Sequence, residues 1–427
     1  MLTHSAVPSS IPTSPQQRVF AFTAFLLGLS LPTSNPLMNI SLGLIAVCLL
    51  WQRDIRQLTA LAGHPLVWLP ALMFALLALS LLTHTHAYGP SMVGKYQKLL
   101  YVLPLALFFL ADPRLMTHFV RGFLWANAAI LTISFMSGLG HVTLGGLNPD
   151  NPTVFKLQIT QNVFMALAAL LWLSRAFACS GKRRWGYAGL VLLATLNVLL
   201  MVQGRTGYVA LTVGMGVWLL LTLQRRQQMA VLACGILAVV MLVMTPNRAM
   251  ERLSLGVQQI QGCLRAPAET AYQACDNSMG QRTAFAREAL RLIQQSPLLG
   301  NGAGSFWYGN AQTGYGVHNP HNEYLLETVQ NGLLGLMVFL TWMGGCYHAA
   351  CRLPPARRNL FVAVLSSYMA CHLFNSFLLD SSEGHLFVII AALLAGLSLK
   401  TSQPQHTCPR PPKHDKDLSH RQNTPRQ

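Results

Sequence analysis

Long apolar runs follow one another along most of the chain, broken by short polar turns. A membrane span needs about 20 mostly apolar residues to cross a hydrocarbon core about 30 Å thick. About twelve runs fit that requirement, at approximately 19–33, 35–51, 66–83, 93–111, 117–137, 161–179, 185–203, 206–223, 228–245, 324–349, 359–379 and 384–400. The first two are short and meet across Pro32 and Pro36, so they could form a helical hairpin or one re-entrant pair. One long polar interruption, from Asn247 to Asn322, stands apart. Within it, Ser278 and Gln281 have capping-box spacing, which predicts a helix running to about Gln295 and ended by Pro297 and Gly300. At 100° per residue, Phe285, Ala289, Leu292 and Ile293 share one face of that helix, and Arg282 projects from the middle of it. Arg287 and Arg291 fall on the opposite, watery side. A charge on a buried face needs an anionic partner, so the pattern singles out Arg282.

The expected organisation is an all-α integral membrane protein with about twelve transmembrane helices and one large periplasmic loop containing amphipathic helices. It divides into a disordered N-terminus (1–18), transmembrane helices 1–9 (19–245), the loop (246–323), transmembrane helices 10–12 (324–400) and a disordered basic tail (401–427). Arg18 before an apolar run resembles a signal peptide, yet no A-x-A-like cleavage site follows, so the run is expected to be retained as the first span.

Composition agrees. The 427 residues are 52% hydrophobic and only 10% charged, with a mean hydropathy of +0.40, against roughly 25% charged residues in soluble domains. The net charge of +17 would suggest nucleic acid in a soluble protein; in a polytopic one the distribution of Lys and Arg reports orientation instead, and no nucleic-acid partner is expected. Arg53 and Arg56, Arg114, Arg175 with Lys182 to Arg184, Arg225 and Arg226, and Arg352 with Arg357 and Arg358 fall in alternate loops. The intervening loops at Thr33 to Asn35, His84 to Ser91 and Asp380 to Gly384 carry neither Lys nor Arg. The pattern predicts both termini in the cytoplasm and the long polar loop outside. Most of the nine cysteines lie in apolar spans, where a free Cys behaves as a small hydrophobe. Cys263 and Cys275 flank a polar stretch of the outer loop, where a disulfide is permitted and left open by the sequence.

Against the positive-inside bias, Lys95, Lys98, Lys156, Arg205, Arg248, Arg252, Arg265, Arg282, Arg287 and Arg291 gather on the outer side. Arg205 lies in the turn Gln203 to Tyr208, too short for its guanidinium to leave the interface. It could snorkel to headgroups or grip phosphate oxygens bidentately, as Arg does better than Lys. Lys95 and Lys98, one helical turn apart, are expected to share a face as phosphate or headgroup contacts. His321 sits where the loop meets the span beginning at Tyr324, a placement suited to a general base. His318 could be a plain loop residue; Glu323 could orient the His321 imidazole or compete for its role; Asp380 and Glu383 could hold Arg side chains or a sugar hydroxyl, or form a solvated turn. No paired outer carboxylates, H-E-x-x-H or C-x-x-C provide a metal site, so diphosphate charge would be met by Arg and Lys, with no cofactor. The Gly-rich run 300–304 lacks the strand before it and the Lys after it that a nucleotide loop requires, and is expected to be a flexible turn.

Three stretches resemble the O-antigen ligases and their superfamily of O-antigen polymerases and protein O-oligosaccharyltransferases. They are Gly204-Arg205-Thr206-Gly207; Arg282 to Phe285 continuing through Ser296-Pro297-Leu298-Leu299-Gly300 to Gly304-Ser305-Phe306; and His321 to Leu325 with Asn331 to Gly335. The resemblance spans roughly 200–385. It implies a glycosyltransferase in which Arg205 and Arg282 hold the pyrophosphate of an undecaprenyl-linked glycan donor and His321 is the essential histidine, acting on a sugar hydroxyl of a lipid A-core acceptor without metal and with inversion. A polymerase would use the same donor. Protein-glycosylating relatives are expected to carry a longer outer C-terminal region. A lipid-linked glycan transporter would place charges near the bilayer midplane and show repeated halves, whereas here they collect at one face and no repeat is visible.

Overall fold

Continuous intrahelical hydrogen bonding is the way a chain this apolar satisfies its backbone in lipid. A computed structural model of the protein describes residues 14–52, 57–140, 147–244, 248–267, 271–309 and 316–402. The expected disorder before residue 14 and after residue 402, and the side chains of Arg53, Arg56, Arg248 and Arg252, lie outside the described residues.

The helices run in order α1 (Pro15–Thr33), α2 (Asn35–Gln52), α3 (Leu58–Ala62), α4 (Pro65–Thr83), α5 (Gly89–Tyr96), α6 (Val102–Ala111), α7 (Leu115–Gly138), α8 (Gln158–Ala178), α9 (Gly181–Leu196), α10 (Arg205–Thr222) and α11 (Arg225–Met244). There follow α12 (Arg248–Arg265), α13 (Ala271–Ala274), α14 (Ser278–Gln295), α15 (Glu323–Cys351), α16 (Pro355–His372) and α17 (Ser381–Ser402), with a two-residue hairpin of β1 (Tyr308–Gly309) and β2 (Gly316–Val317) before α15. A 3-10 turn at Gln97–Tyr101 joins α5 to α6, and a π-helical turn at Asn197–Met201 ends the α9 span.

The protein is an all-α membrane protein. Among the described residues, eight helical units are long and apolar enough to cross a membrane: α2, α4, α5 with α6, α7, α8, α9 with its π turn, α15 and α17. Their outer surfaces are oily, with Leu50, Leu82 and Leu200 exposed by 77%, 81% and 76%. α1, α10 and α16 have 19, 18 and 18 residues but fall short in apolarity. α10 and α16 carry polar groups on faces turned toward protein, Thr206 and Ser367 among them, and α10 packs between α8 and α16. The first pair resolves as two helices packed on each other, hinged at Ser34.

α16 departs from the apolar run at 359–379 by ending at His372. Residues 373–380 turn back instead, the Leu378 N–H donating to Glu323 Oε2 at 2.8 Å and the Asn375 N–H to the Cys371 carbonyl at 3.0 Å. The run is apolar because it is buried in protein, with Phe377 and Leu378 both fully enclosed.

The segment after α14 is likewise no free turn. Gly332 breaks α15 with φ 64°, ψ −165°, and the backbone of 297–302 fills the break: Leu333 N donates to Pro297 O at 2.9 Å, Leu334 N to Leu298 O at 3.2 Å, Asn301 N to Val329 O at 2.8 Å and Gly302 N to Gln330 O at 3.0 Å. A Cβ on Gly332 would lie 2.2 Å from Leu298 O, and one on Gly300 2.4 Å from Gln330 O, so each glycine permits the close approach of the other strand of backbone. α12 and α14 pack together, and a Cys263–Cys275 disulfide with Cα atoms 4.7 Å apart ties α12 to the turn between α13 and α14.

Candidate functional site

One rim of the bundle gathers the start of α10, the first half of α14, the start of α15 and the loop after α16. Asn162 on α8 shapes the first of these. Its Nδ2 donates to the carbonyls of Val198, Val202 and Gly204 at 3.3, 3.0 and 3.1 Å, which closes the turn that makes Arg205 the first helical residue of α10.

α14 spans Ser278–Gln295 with Asn277 as its N-cap, the Asn277 Oδ1 accepting from Gly280 N at 2.8 Å. The capping box expected from Ser278 and Gln281 therefore does not form, and Gln281 Nε2 donates to Asp276 Oδ1 at 3.0 Å. Asn is as good a cap as Ser, and here it stands one residue earlier. The face behaves as its periodicity dictates: Phe285, Ala289 and Leu292 are buried, Arg282 is half-buried, and Arg287 and Arg291 are exposed. Arg291 pairs with Glu288 at 2.6 Å. Arg282 has no carboxylate within ion-pair distance among the described residues, and neither has Arg205. Burial, and then the neighbouring Arg205 charge, lower the Arg282 pKa. Two cations held side by side without an anion are a site of strong positive potential.

His321 precedes the N-cap of α15. It has φ 54°, the one positive φ of a non-glycine residue among the described residues, a conformation that costs free energy and clusters at functional sites. Its N–H donates to Asn319 Oδ1 at 2.8 Å, while the following Asn322 caps α15 by accepting from Leu325 N at 3.0 Å and donates to Leu373 O at 3.1 Å. The imidazole stacks on the Phe285 ring, centroids 5.8 Å apart. Burial and the Arg282 guanidinium hold its pKa below the ordinary histidine value, and a hydrogen bond with Asn375 pulls it partway back. Arg282 thus lies within electrostatic reach of both Arg205 and His321.

A family model described as O-antigen ligase matches residues 188–340, a stretch from α9 to the middle of α15. Over that stretch the chain is similar to the O-antigen ligase/polymerase superfamily. Its members are membrane glycosyltransferase-like enzymes that handle lipid-linked glycans. No curated protein matches the chain.

The remaining residues singled out in the sequence divide differently. Lys95 is exposed and donates to the Tyr88 hydroxyl. Tyr88 stacks on His318 with centroids 3.9 Å apart, and the His318 Nδ1 lies 3.1 Å from Phe306 O. Lys98 does not share the face of Lys95. Lys98, in the 3-10 turn that begins at Gln97, is turned inward at 4% exposure, donating to the carbonyls of Leu379 and Asp380 at 3.2 and 2.6 Å. Asp380 and Glu383 face Lys98 rather than an Arg; burial and then the Glu383 charge raise the Asp380 carboxyl pKa, with Lys98 opposing. Glu323 does not orient His321. It is fully buried, accepting from the Tyr96 hydroxyl at 2.7 Å and from Leu378 N, with His372 Nδ1 3.8 Å away.

Asn162, Thr206 and Asn375 also build the site, and sequence reasoning passed over all three. Asn375 hid inside an apolar run, although a lone buried amide among apolar residues is itself a signal. Among the described residues, no three His, Cys, Asp or Glu side chains are grouped to hold a metal ion. A groove of about 790 Å³ between α2 and the Gln97–Leu105 stretch lies apart from Arg205, Arg282 and His321.

Proposed function

We propose that this protein is an O-antigen ligase, transferring O-antigen polysaccharide from undecaprenyl pyrophosphate to a sugar hydroxyl of lipid A-core. The observation that carries the reading is the pair of guanidinium groups, Arg205 and Arg282, without a carboxylate partner among the described residues and beside a half-buried, charge-disfavoured imidazole. His321, neutral at pH 7, removes the proton from the acceptor hydroxyl as its oxygen attacks the anomeric carbon. The anomeric carbon–oxygen bond breaks, both its electrons leave with the diphosphate, and the two guanidinium groups stabilise the charge that develops there. A single displacement of this kind inverts the anomeric centre.

The site then faces the periplasm, with residues 246–323 as the catalytic loop, both termini in the cytoplasm and the chain in a bacterial inner membrane. Supporting this orientation, Arg114, Arg175, Lys182, Arg225 and Arg352 lie at helix ends opposite the rim that carries Arg205 and His321, as the positive-inside rule requires.

His321→Ala, in membranes supplied with lipid-linked glycan and lipid A-core, is expected to lower transfer by about 10²- to 10⁴-fold while donor still binds. Undiminished transfer would remove His321 as the base. In cells lacking the protein, unmodified core with accumulated lipid-linked polymer is the ligase outcome; core capped by a single repeat would instead identify a polymerase.

A further inference from the structure

α10 has two faces. Thr206, Ala210, Leu211, Gly214 and Trp218 are buried, where the helix packs between α8 and α16. The opposite stripe is headed by Arg205. At 3.6 residues per turn, Thr212, Gly216, Leu219 and Leu223 fall within about 40° of Arg205 around the helix. Those four residues line one wall of a groove of about 550 Å³, and α11 supplies the other wall through Val231, Gly235 and Ile236 among others. We propose that this groove holds the polyisoprenoid tail of the lipid-linked donor, which runs down α10 from a diphosphate gripped at Arg205. The proposal rests on the donor reading given above.

The groove has a direction. With a rise of about 1.5 Å per residue, Thr212 lies about 10 Å along the axis from Arg205, and Leu223 about 27 Å. At that far end Gln228 Nε2 donates to the carbonyls of Leu220 and Leu223 at 2.7 and 3.0 Å, so the turn from α10 to α11 closes the bottom. From Met229 to Met244 α11 is apolar throughout, and none of its described side chains is buried. No other helix packs extensively on α11 among the described residues. The occupant of the groove therefore comes from the membrane and not from the chain.

Charge selects among membrane lipids. Arg205 has no carboxylate within ion-pair distance among the described residues, and a guanidinium at the head of an apolar stripe complements an anionic head on a hydrocarbon tail. In the donor reading two guanidinium groups meet two phosphates, where an ordinary phospholipid offers one. Lipid is as apolar as the groove walls, so any preference for the tail comes from close packing. Glycine keeps the space free: a Cβ on Gly216 or on Gly235 would meet nothing within 4 Å.

The test is binding to the purified full chain in phosphatidylcholine nanodiscs, with undecaprenyl diphosphate, short-chain geranyl diphosphate or phosphatidylglycerol added. Gly216→Phe and Gly235→Phe fill the groove without displacing protein atoms. Each is expected to lower undecaprenyl diphosphate affinity by about 5- to 30-fold, the effect of forcing bulk into a packed apolar site. Geranyl diphosphate, whose chain ends near the mouth of the groove, should bind both variants as it binds wild type. Leu237→Phe, at a 62% exposed position outside the groove, should change neither. An undecaprenyl diphosphate carrying a photoreactive group in its tail should label α10 and α11 of the wild-type chain, a result that does not depend on the folding of any variant. Undecaprenyl affinity unchanged in both glycine variants, an equal loss for geranyl diphosphate, or labelling confined to other helices would overturn the proposal. Wild-type protein that binds undecaprenyl diphosphate no better than phosphatidylglycerol would mean that the donor reading itself has failed; tight wild-type binding with unaffected glycine variants rejects the groove alone.

Discussion

Two clusters of charge sit at the same rim and are built on opposite principles. Around Lys98, the ammonium donates to two carbonyls and lies among Asp380, Glu383 and Glu323, while Glu323 accepts from Tyr96 and Leu378 N. This cluster satisfies itself, as buried polar groups in a membrane protein must. Around Arg282, two guanidinium groups stand together with a histidine, and no carboxylate among the described residues answers them. The first cluster ties the start of α15, the 3-10 turn and the loop before α17 into one unit; in the function proposed above, the second is completed by an anion from outside. The presence of a charge therefore says less about function than whether the protein has already supplied its partner.

That contrast can be attacked from both sides. The largest effect is expected from Arg282→Lys, which keeps the charge but loses the bidentate fork, and should lower transfer by about 10²- to 10³-fold, the range for loss of one preorganised donor. A smaller change in function and a larger one in folding are expected from Lys98→Met. Removing one member of a buried charged cluster costs about 3 to 5 kcal/mol, read as a lowered unfolding midpoint in detergent, while transfer per folded molecule persists. If Lys98→Met instead abolished transfer with its melting point intact, the two clusters would not be separable. The smallest effect belongs to Arg287→Lys, on the exposed face of α14, where stability should move by no more than about 0.5 kcal/mol and transfer should match wild type; equal losses at Arg282 and Arg287 would defeat the distinction between the faces.

Much of this was legible in the chain, and the rest was hidden for identifiable reasons. Apolar length foretold the helical membrane fold, and periodicity separated Arg282 from Arg287 and Arg291, because both depend on local spacing alone. The fate of Lys98 was not local: it is set by carbonyls 281 and 282 residues distant in sequence, toward which the ammonium turns. Glu323 looked like a partner of its neighbour His321, but entry into α15 turns it to the opposite side, toward Tyr96. The end of α16 was invisible because residues 373–379 are as apolar as a span, and only tertiary structure, with Leu378 N donating to Glu323, shows that they are turns of which 375–379 are buried in protein. The Gly300 and Gly332 segments read as a turn and a helix separately; their backbones interlock, which no single-segment pattern could display.

Binding of undecaprenyl pyrophosphate to the purified protein tests the central claim most directly, by comparing wild type with the Arg205→Ala/Arg282→Ala double variant and with Lys98→Met. The account predicts that the double variant loses binding by at least about 100-fold, in keeping with charge-assisted bonds worth about 1.5 to 3 kcal/mol each, and that folded Lys98→Met binds as wild type does. Wild-type affinity in the double variant would contradict it.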